Sequence, residues 1–303
     1  MSFSITILGS GAALPTNTRN PTAQFIECRG RRILIDCGEG TQVQFRKFGV
    51  KFQRLEYILI SHLHGDHFFG LVGLLSSMHL LGRKKPIEIY GPEGLQQILD
   101  VQLQYGGSRL AFDINVHVLD TKNAGVVFED EKIIIKHFPL SHKVPTNGFV
   151  ISEKSKERTL LIEKCQRDGI KIEHYQYLKK GENVLGENGK EIRFKDYTLP
   201  AEKSKAYAFC SDTKYFEAIV PYIEKVNLLY HEATFTEEFK DRAKITLHST
   251  ANDAAGIAKR AKVGKLLMGH LSARYENGKQ HLLEGQTIFK NCCVVEDGDK
   301  FEV

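Results

Sequence analysis

Apolar residues in the first third of the chain fall in short runs broken by turn residues, the pattern of strands. Phe3–Leu8 is the first run and ends in Gly9-Ser10-Gly11. Ala23–Cys28 and Arg31–Asp36 flank Gly30 and predict a hairpin. From Gly40 to Phe48 the spacing becomes helical, with Val43, Phe45 and Phe48 facing inward. Tyr57–Ile60 reads as a buried strand, Leu71–Leu81 as an apolar, buried helix, and Ile87–Tyr90 as another strand. Pro92 suits the first turn of a helix after it. Ile114–Leu119 and Lys132–Phe138 supply further strands.

The last third alternates strand with helix. Ala206–Cys210, Val226–Tyr230 and Lys265–Met268 read as strands, and Tyr215–Ile223, Thr250–Lys262 and Leu282–Lys290 as helices, with Ser249 an N-cap for the second. Two αβ halves whose sheets face each other fit this order better than one doubly wound sheet, which would alternate throughout.

Between the halves the composition changes. Residues 151–205 carry 13 Lys and Arg against 10 Asp and Glu, and include Lys179-Lys180-Gly181 and Glu187-Asn188-Gly189. This is most of the chain's formal excess of +5. It reads as an insertion of solvated hairpins and loops, or as an arm that touches an anionic substrate. No apolar run approaches the ~20 residues of a membrane-spanning helix, and the amino terminus reads as a first strand without a secretory pattern. The six cysteines include no C-x-x-C pair, so neither a disulfide framework nor a cysteine zinc site is expected, and a reducing cytosol fits.

The chemistry is concentrated in Ser61-His62-Leu63-His64-Gly65-Asp66-His67, directly after the strand Tyr57–Ile60. A single histidine in an apolar setting is most often a satisfied core residue. Three histidines and an aspartate this close, without a metal, would leave imidazoles competing for few acceptors beside a carboxylate that is costly to desolvate. In an extended segment His62 and His64 point the same way and can share one ion. Gly65 lets the chain bend, and Asp66 and His67 past the bend can address a second. Imidazole and carboxylate without thiolate suit Zn²⁺, with Mn²⁺ or Fe as weaker options. His142, Asp212 and His270 each stand just past a strand's carboxyl end, where α/β folds place ligand sites. His79, His117, His137, His174 and His281 lack that context and read as packing or surface residues.

With His142, Asp212 and His270, the His62–His67 run resembles the metallo-β-lactamase superfamily. More narrowly, five stretches resemble the ribonuclease Z family, the endonucleases that trim transfer RNA 3′ ends. They are Leu8–Pro15, His62–His67, Phe209–Thr213, His231-Glu-Ala-Thr234 with His248-Ser-Thr250, and Gly269–Tyr275. The resemblance implies an α/β fold, the αβ/βα four-layer sandwich, as a single domain over 1–303 with an inserted protruding arm at about 153–200 that binds RNA. It implies two Zn²⁺ per subunit: His62, His64 and His142 on one, Asp66, His67 and His270 on the other, and Asp212 bridging. It also implies a cytoplasmic homodimer acting on precursor tRNA, leaving a 3′-hydroxyl on the tRNA and a 5′-phosphate on the trailer.

Asp66, beside the attacking water, can orient it and take its proton. His248, outside the ligand set and in the loop that opens the Thr250–Lys262 helix, is the candidate acid for the leaving oxygen. The resemblance implies that Glu232 holds it charged and oriented. The family's Pro-x-Lys-x-Arg-Asn stretch appears as Pro15-Thr-Asn17-Thr-Arg19-Asn20, which keeps Arg19 and Asn20 as RNA contacts but has Asn17 in place of Lys. Arg274, following His270, is a candidate phosphate contact or a buried structural arginine. Lys179 and Lys180 are candidate RNA contacts in the arm, which lacks the Gly-Pro step of related short forms. Another phosphodiesterase of the same fold, acting on small or cyclic phosphodiesters, is the alternative.

Overall fold

The computed structural model describes residues 3–107, 109–186 and 189–303, so Glu187 and Asn188 of the insertion lie outside the described residues. The chain divides into two compact units, Met1–Ser152 with Lys205–Val303, and Glu153–Ser204.

In the first unit, two seven-stranded sheets carry the architecture. One runs Lys300–Glu302, Phe3–Gly9, Ala23–Cys28, Arg31–Ile35, Tyr57–Leu59, Ile87–Gly91, Ile114–Val118. The other runs Cys292–Val294, Lys265–Gly269, Leu228–Glu232, Ala206–Cys210, Asn147–Glu153, Ile133–Pro139, Gly125–Glu129. Because side chains alternate along a strand, a continuous apolar run buries both faces. Tyr57 and Leu59 enter the core between the sheets, while Ile58 and Ile60 meet the helices outside. Likewise Leu267 joins the central core, and Leu266 and Met268 pack on the helices of the other side. Three cores separate four layers: helices, sheet, sheet, helices. This is the αβ/βα sandwich.

Arg31–Ile35 and Tyr57–Leu59 are parallel neighbours in the first sheet. In the second, Ala206–Cys210, Leu228–Glu232 and Lys265–Gly269 are parallel. Within each set, the chain therefore emerges from its strands along one edge of the sheet.

Three local expectations change. The first helix spans Thr41–Lys47, and Val43 faces solvent at 61% exposure. Gln44 takes the inward place, because its buried amide donates to the Leu8 carbonyl (2.9 Å) and to Asp297 (2.8 Å). Within Tyr215–Ile223 only Val220–Ile223 is α-helical, preceded by a 3₁₀ turn at Glu217–Ile219. Pro221 suits only a first turn. The Ala-rich helix spans Ala251–Arg260, and its cap is Thr250, whose hydroxyl accepts from Asp253 N–H in a reciprocal capping box.

The second unit contains two short ribbons, Thr159–Leu160 with Thr198–Leu199 and Val184–Leu185 with Glu191–Ile192. Helices Ile162–Arg167, Tyr175–Lys180 and Phe194–Tyr197 complete it, with Cys165 and Leu178 buried. The Arg158 guanidinium lies 4.7 Å from the centre of the Phe194 ring. Among the described residues, no helix is long and apolar enough to cross a membrane.

Candidate metal centre

Seven side chains that the sequence singled out converge at the strand ends. His62 and His64 leave Tyr57–Leu59, and Asp66 and His67 sit on the helical turn Gly65–Phe68. His142, Asp212 and His270 follow Ile133–Pro139, Ala206–Cys210 and Lys265–Gly269. Among the described residues the donor atoms fall into three overlapping groups: His62, His64, His142 and Asp212; Asp66, His67 and His270; and Asp212 and His270 with His248. The first two together hold all seven side chains. Asp212, only 2% exposed, faces both. Its Oδ2 lies 3.7 Å from Nε2 of His62 and 3.7 Å from Nε2 of His142. Its Oδ1 lies 3.4 Å from His67 Nε2 and 3.1 Å from His270 Nε2. Asp66 Oδ2 stands 3.5 Å from each of the latter two nitrogens and accepts the Ala13 N–H at 2.8 Å.

The outer partners fix which ring nitrogen faces inward. His142 Nδ1–H donates to the Leu247 carbonyl (3.0 Å). Buried Asp36 accepts from His67 Nδ1 (2.7 Å) and from the Ser61 hydroxyl (2.8 Å), and takes the Ser61 N–H on its other oxygen. The Ser61 hydroxyl, its proton committed to Asp36, accepts from His62 Nδ1 (3.0 Å). Thr234 donates to Glu232 (2.5 Å), so its oxygen accepts from His270 Nδ1 (3.0 Å). All four imidazoles therefore turn Nε2 to the centre.

The donor set fits metal ions. His67 Nε2 and His270 Nε2 are buried and have no hydrogen-bond partner. His64 Nδ1 meets His62 Nε2 at 3.0 Å and His142 Nε2 at 3.3 Å. Three nitrogens this close share at most one proton, a poor hydrogen-bond arrangement and a good cradle for one cation. His62 is pushed well below its ordinary pKa, by burial first and then by the charge on His67, so it stays neutral. Burial also lowers His64 and His142. His67 goes the other way: burial opposes its charge, but Asp66, Asp212 and Asp36 outweigh it. That excess of carboxylate is the same pull the site exerts on a metal.

His248 stands beside this centre with its side chain 16% exposed. Its Nδ1 bonds Glu232 Oε1 at 2.9 Å, and its Nε2 lies 3.9 Å from Asp212 Oδ2. Fully buried Glu232 also accepts the N–H groups of Thr213 (2.7 Å) and Ser249 (3.1 Å). Above the cluster opens a cleft of about 660 Å³, lined among others by Leu14, Phe69, Lys143, Arg242, His248 and Arg274.

The proposed RNA contacts divide. Arg274 is exposed at the cleft, so the buried structural alternative does not describe it. Arg19 differs from Arg274. Its side chain is buried at 4% exposure, because its guanidinium donates to the Tyr275 carbonyl (3.0 Å) inside the protein. Asn20 is half-buried and commits its side-chain amide N–H to Asp297 (2.9 Å). Lys179 pairs with Glu157 at 2.6 Å, and Lys180 is exposed.

Sequence reasoning missed Asp36 and Asp297, and named Thr234 only as part of the His231–Thr234 stretch, without a role. Asp36 carries the signal that located His142 and Asp212, a polar residue closing a buried strand. Asp36→Asn keeps the shape but supplies a poorer acceptor for His67. Its metal affinity is expected to fall ~10–100-fold, the usual cost of losing an outer partner, read by competition with a chelator.

Two facing sheets with this donor cluster at their strand ends define a metal-binding protein of the metallo-β-lactamase fold. Solved structures agree. The chain is similar to human tRNase Z, short form (28% identity, 98% of each chain, TM-score 0.71). It is also similar in fold to the metallo-β-lactamase fold protein YhfI from Bacillus subtilis (18%, 100% of each chain, TM-score 0.70). The family model described as Anti-Pycsar protein Apyc1 matches residues 3–166, and over that stretch the chain belongs to the family it describes. Curated relatives run nearly full length. Ribonuclease Z of Porphyromonas gingivalis strain W83 is 42% identical over 288 residues, 95% of each chain. Ribonuclease Z of Cytophaga hutchinsonii is 42% identical over 304, covering 100% of this chain and 97% of the relative. The chain belongs to the ribonuclease Z family.

Proposed function

We propose that this chain is the endoribonuclease that removes the 3′ trailer from precursor tRNA, leaving a 3′-hydroxyl on the tRNA and a 5′-phosphate on the trailer. The observation that carries the reading is His248, backed by Glu232, standing 3.9 Å from the carboxylate shared by two donor groups. We assign His62, His64 and His142 to one Zn²⁺, Asp66, His67 and His270 to a second, and Asp212 to both. Tetrahedral zinc with ligands at about 2.0–2.2 Å separates its donors by roughly 3.3–3.6 Å. The 3.0–3.7 Å separations here are of that order.

Bound cations supply Lewis-acid stabilisation of the attacked phosphate and lower the pKa of water. Asp66 orients the attacking water and takes its proton, its carboxylate aimed by the Ala13 N–H. His248 donates its Nε2 proton to the departing 3′-oxygen. Glu232 holds the other ring nitrogen, keeping the imidazolium in place and charged. Arg274 at the cleft is suited to a phosphate.

The segment 153–204 is the RNA-binding arm in this reading, supported by its basic composition and by exposed Lys180 with half-exposed Lys179. Homodimerisation follows the family resemblance, with one subunit's arm holding the tRNA over its partner's centre. A cytoplasmic setting accords with the six cysteines being free. The test is cleavage mapping on a 3′-extended precursor tRNA beside turnover of a small aryl phosphodiester. A single cut at the trailer junction, at a kcat/KM far above that for the aryl ester, is expected. Preference for the small ester overturns the reading.

A further inference from the structure

The residues lining the cleft are of two kinds. Beside His248 stand Phe235, Arg242 and Arg274, and the Arg274 guanidinium lies over the rings of Phe235 (5.2 Å) and Phe239 (4.5 Å). Beside Asp66 the wall is apolar. Leu14 follows Ala13, whose N–H holds Asp66, and Phe69 lies against Gly65, where a Cβ would collide with its ring. Leu14 and Phe69 are 63% and 62% exposed, so folding leaves most of their apolar surface to water. Phe69 is nonetheless held in place, packed edge-on against buried Phe68 at 5.0 Å. The exposed Glu39, one residue from Gly38 whose Cβ position meets the Asp66 carbonyl, lines the cleft near this apolar pair, and Lys143, next to His142, lines it as well.

Resting on the functional reading above, the chain polarity of the substrate follows. The departing 3′-oxygen belongs to the tRNA and must reach His248, so the last nucleotide of the mature end lies along the basic, aromatic wall. The trailer, bonded through its O5′ to the same phosphorus, leaves the centre along another part of the lining, and the apolar residues beside Asp66 offer one. An apolar wall with an acidic neighbour repels a phosphate and suits the flat, uncharged face of a base.

We propose that Phe69, flanked by Leu14, is the stacking platform for the first nucleobase of the trailer. Stacking of this kind accepts any base, since every base has a π-face, and is sensitive to loss of either partner.

The test pairs two substrates, a precursor tRNA with an intact trailer and one whose first trailer nucleotide is abasic, with wild type and Phe69→Ala. Removing the base is expected to lower wild-type kcat/KM by about 5- to 100-fold. Phe69→Ala is expected to lose a similar factor on the intact substrate and to show little further loss on the abasic one. Phe69→Tyr, which keeps the ring, is expected to restore the dependence on the base. Losses that simply multiply in Phe69→Ala overturn the platform, as does a wild type indifferent to the base. That wild-type arm decides even if Phe69→Ala binds metal poorly. Failure of wild type to cut the intact precursor overturns the functional reading, and the platform with it.

Discussion

Asp212→Ala is expected to strip metal from both halves of the centre and to abolish cleavage of precursor tRNA. The side chain is buried, and each of its oxygens faces a different donor group, at 3.7 Å on one side and 3.1–3.4 Å on the other. Removing it takes away the negative charge common to both groups. In the first group it leaves three neutral imidazoles. In the second it leaves Asp66 as the remaining inward carboxylate, with Asp36 behind His67. Cation affinity scales with that charge, so both occupancies fall together. Metal content after gel filtration measures the result directly, with circular dichroism to show that the fold persists. Loss from one group alone would restrict Asp212 to that group. Normal stoichiometry would remove the bridging assignment.

The centre was legible because its ligands obey a rule that survives without contacts: a titratable residue just past the carboxyl end of a buried strand. Strand ends gather such residues at one edge of the sheets, which makes His142, Asp212 and His270 legible although the chain separates them widely. Asp36 obeys the same rule, but it acts from behind His67 rather than on the centre itself, and position past a strand does not distinguish the two roles. Thr234 and Ser61 carry no signal of their own, since a hydroxyl reveals its role only through what it touches.

Asp297 was invisible for a different reason. One oxygen accepts from the Ser10 N–H (2.9 Å) and hydroxyl (2.8 Å); the other accepts from the Asn20 N–H (2.8 Å) and the side-chain amides of Asn20 (2.9 Å) and Gln44 (2.8 Å). A residue near the end of the chain thus holds the loop that aims Ala13 at Asp66. No periodicity records a contact across 253 or more residues. The same network explains why Gln44 displaced Val43 from the core, and why Asn20 spends its amide within the protein. Hydrophobicity assigns the inward face of a helix only when no polar group there has a better offer.

His248→Ala is expected to keep its metals and still lose ~10²–10⁴-fold in turnover on precursor tRNA, the usual worth of a positioned general acid. The two variants therefore separate binding of the ions from proton delivery. Burial works against a charged His248, but Glu232 and then Asp212 outweigh it and raise the ring to about 9, before any cation is counted. A general acid must hold its proton, so activity is present below this pKa and fades as pH rises through it. Glu232→Gln removes the largest stabilising charge while burial remains, so the pKa drops. The alkaline limb of kcat should then move to lower pH, read on protein saturated with metal, because Glu232 also holds Thr234 against His270. In His248→Ala that limb should vanish from the residual rate. An alkaline limb that stays put in Glu232→Gln would mean the departing oxygen takes its proton from another group. It would leave the Glu232–His248 pair as scaffolding for the Thr213 and Ser249 loops.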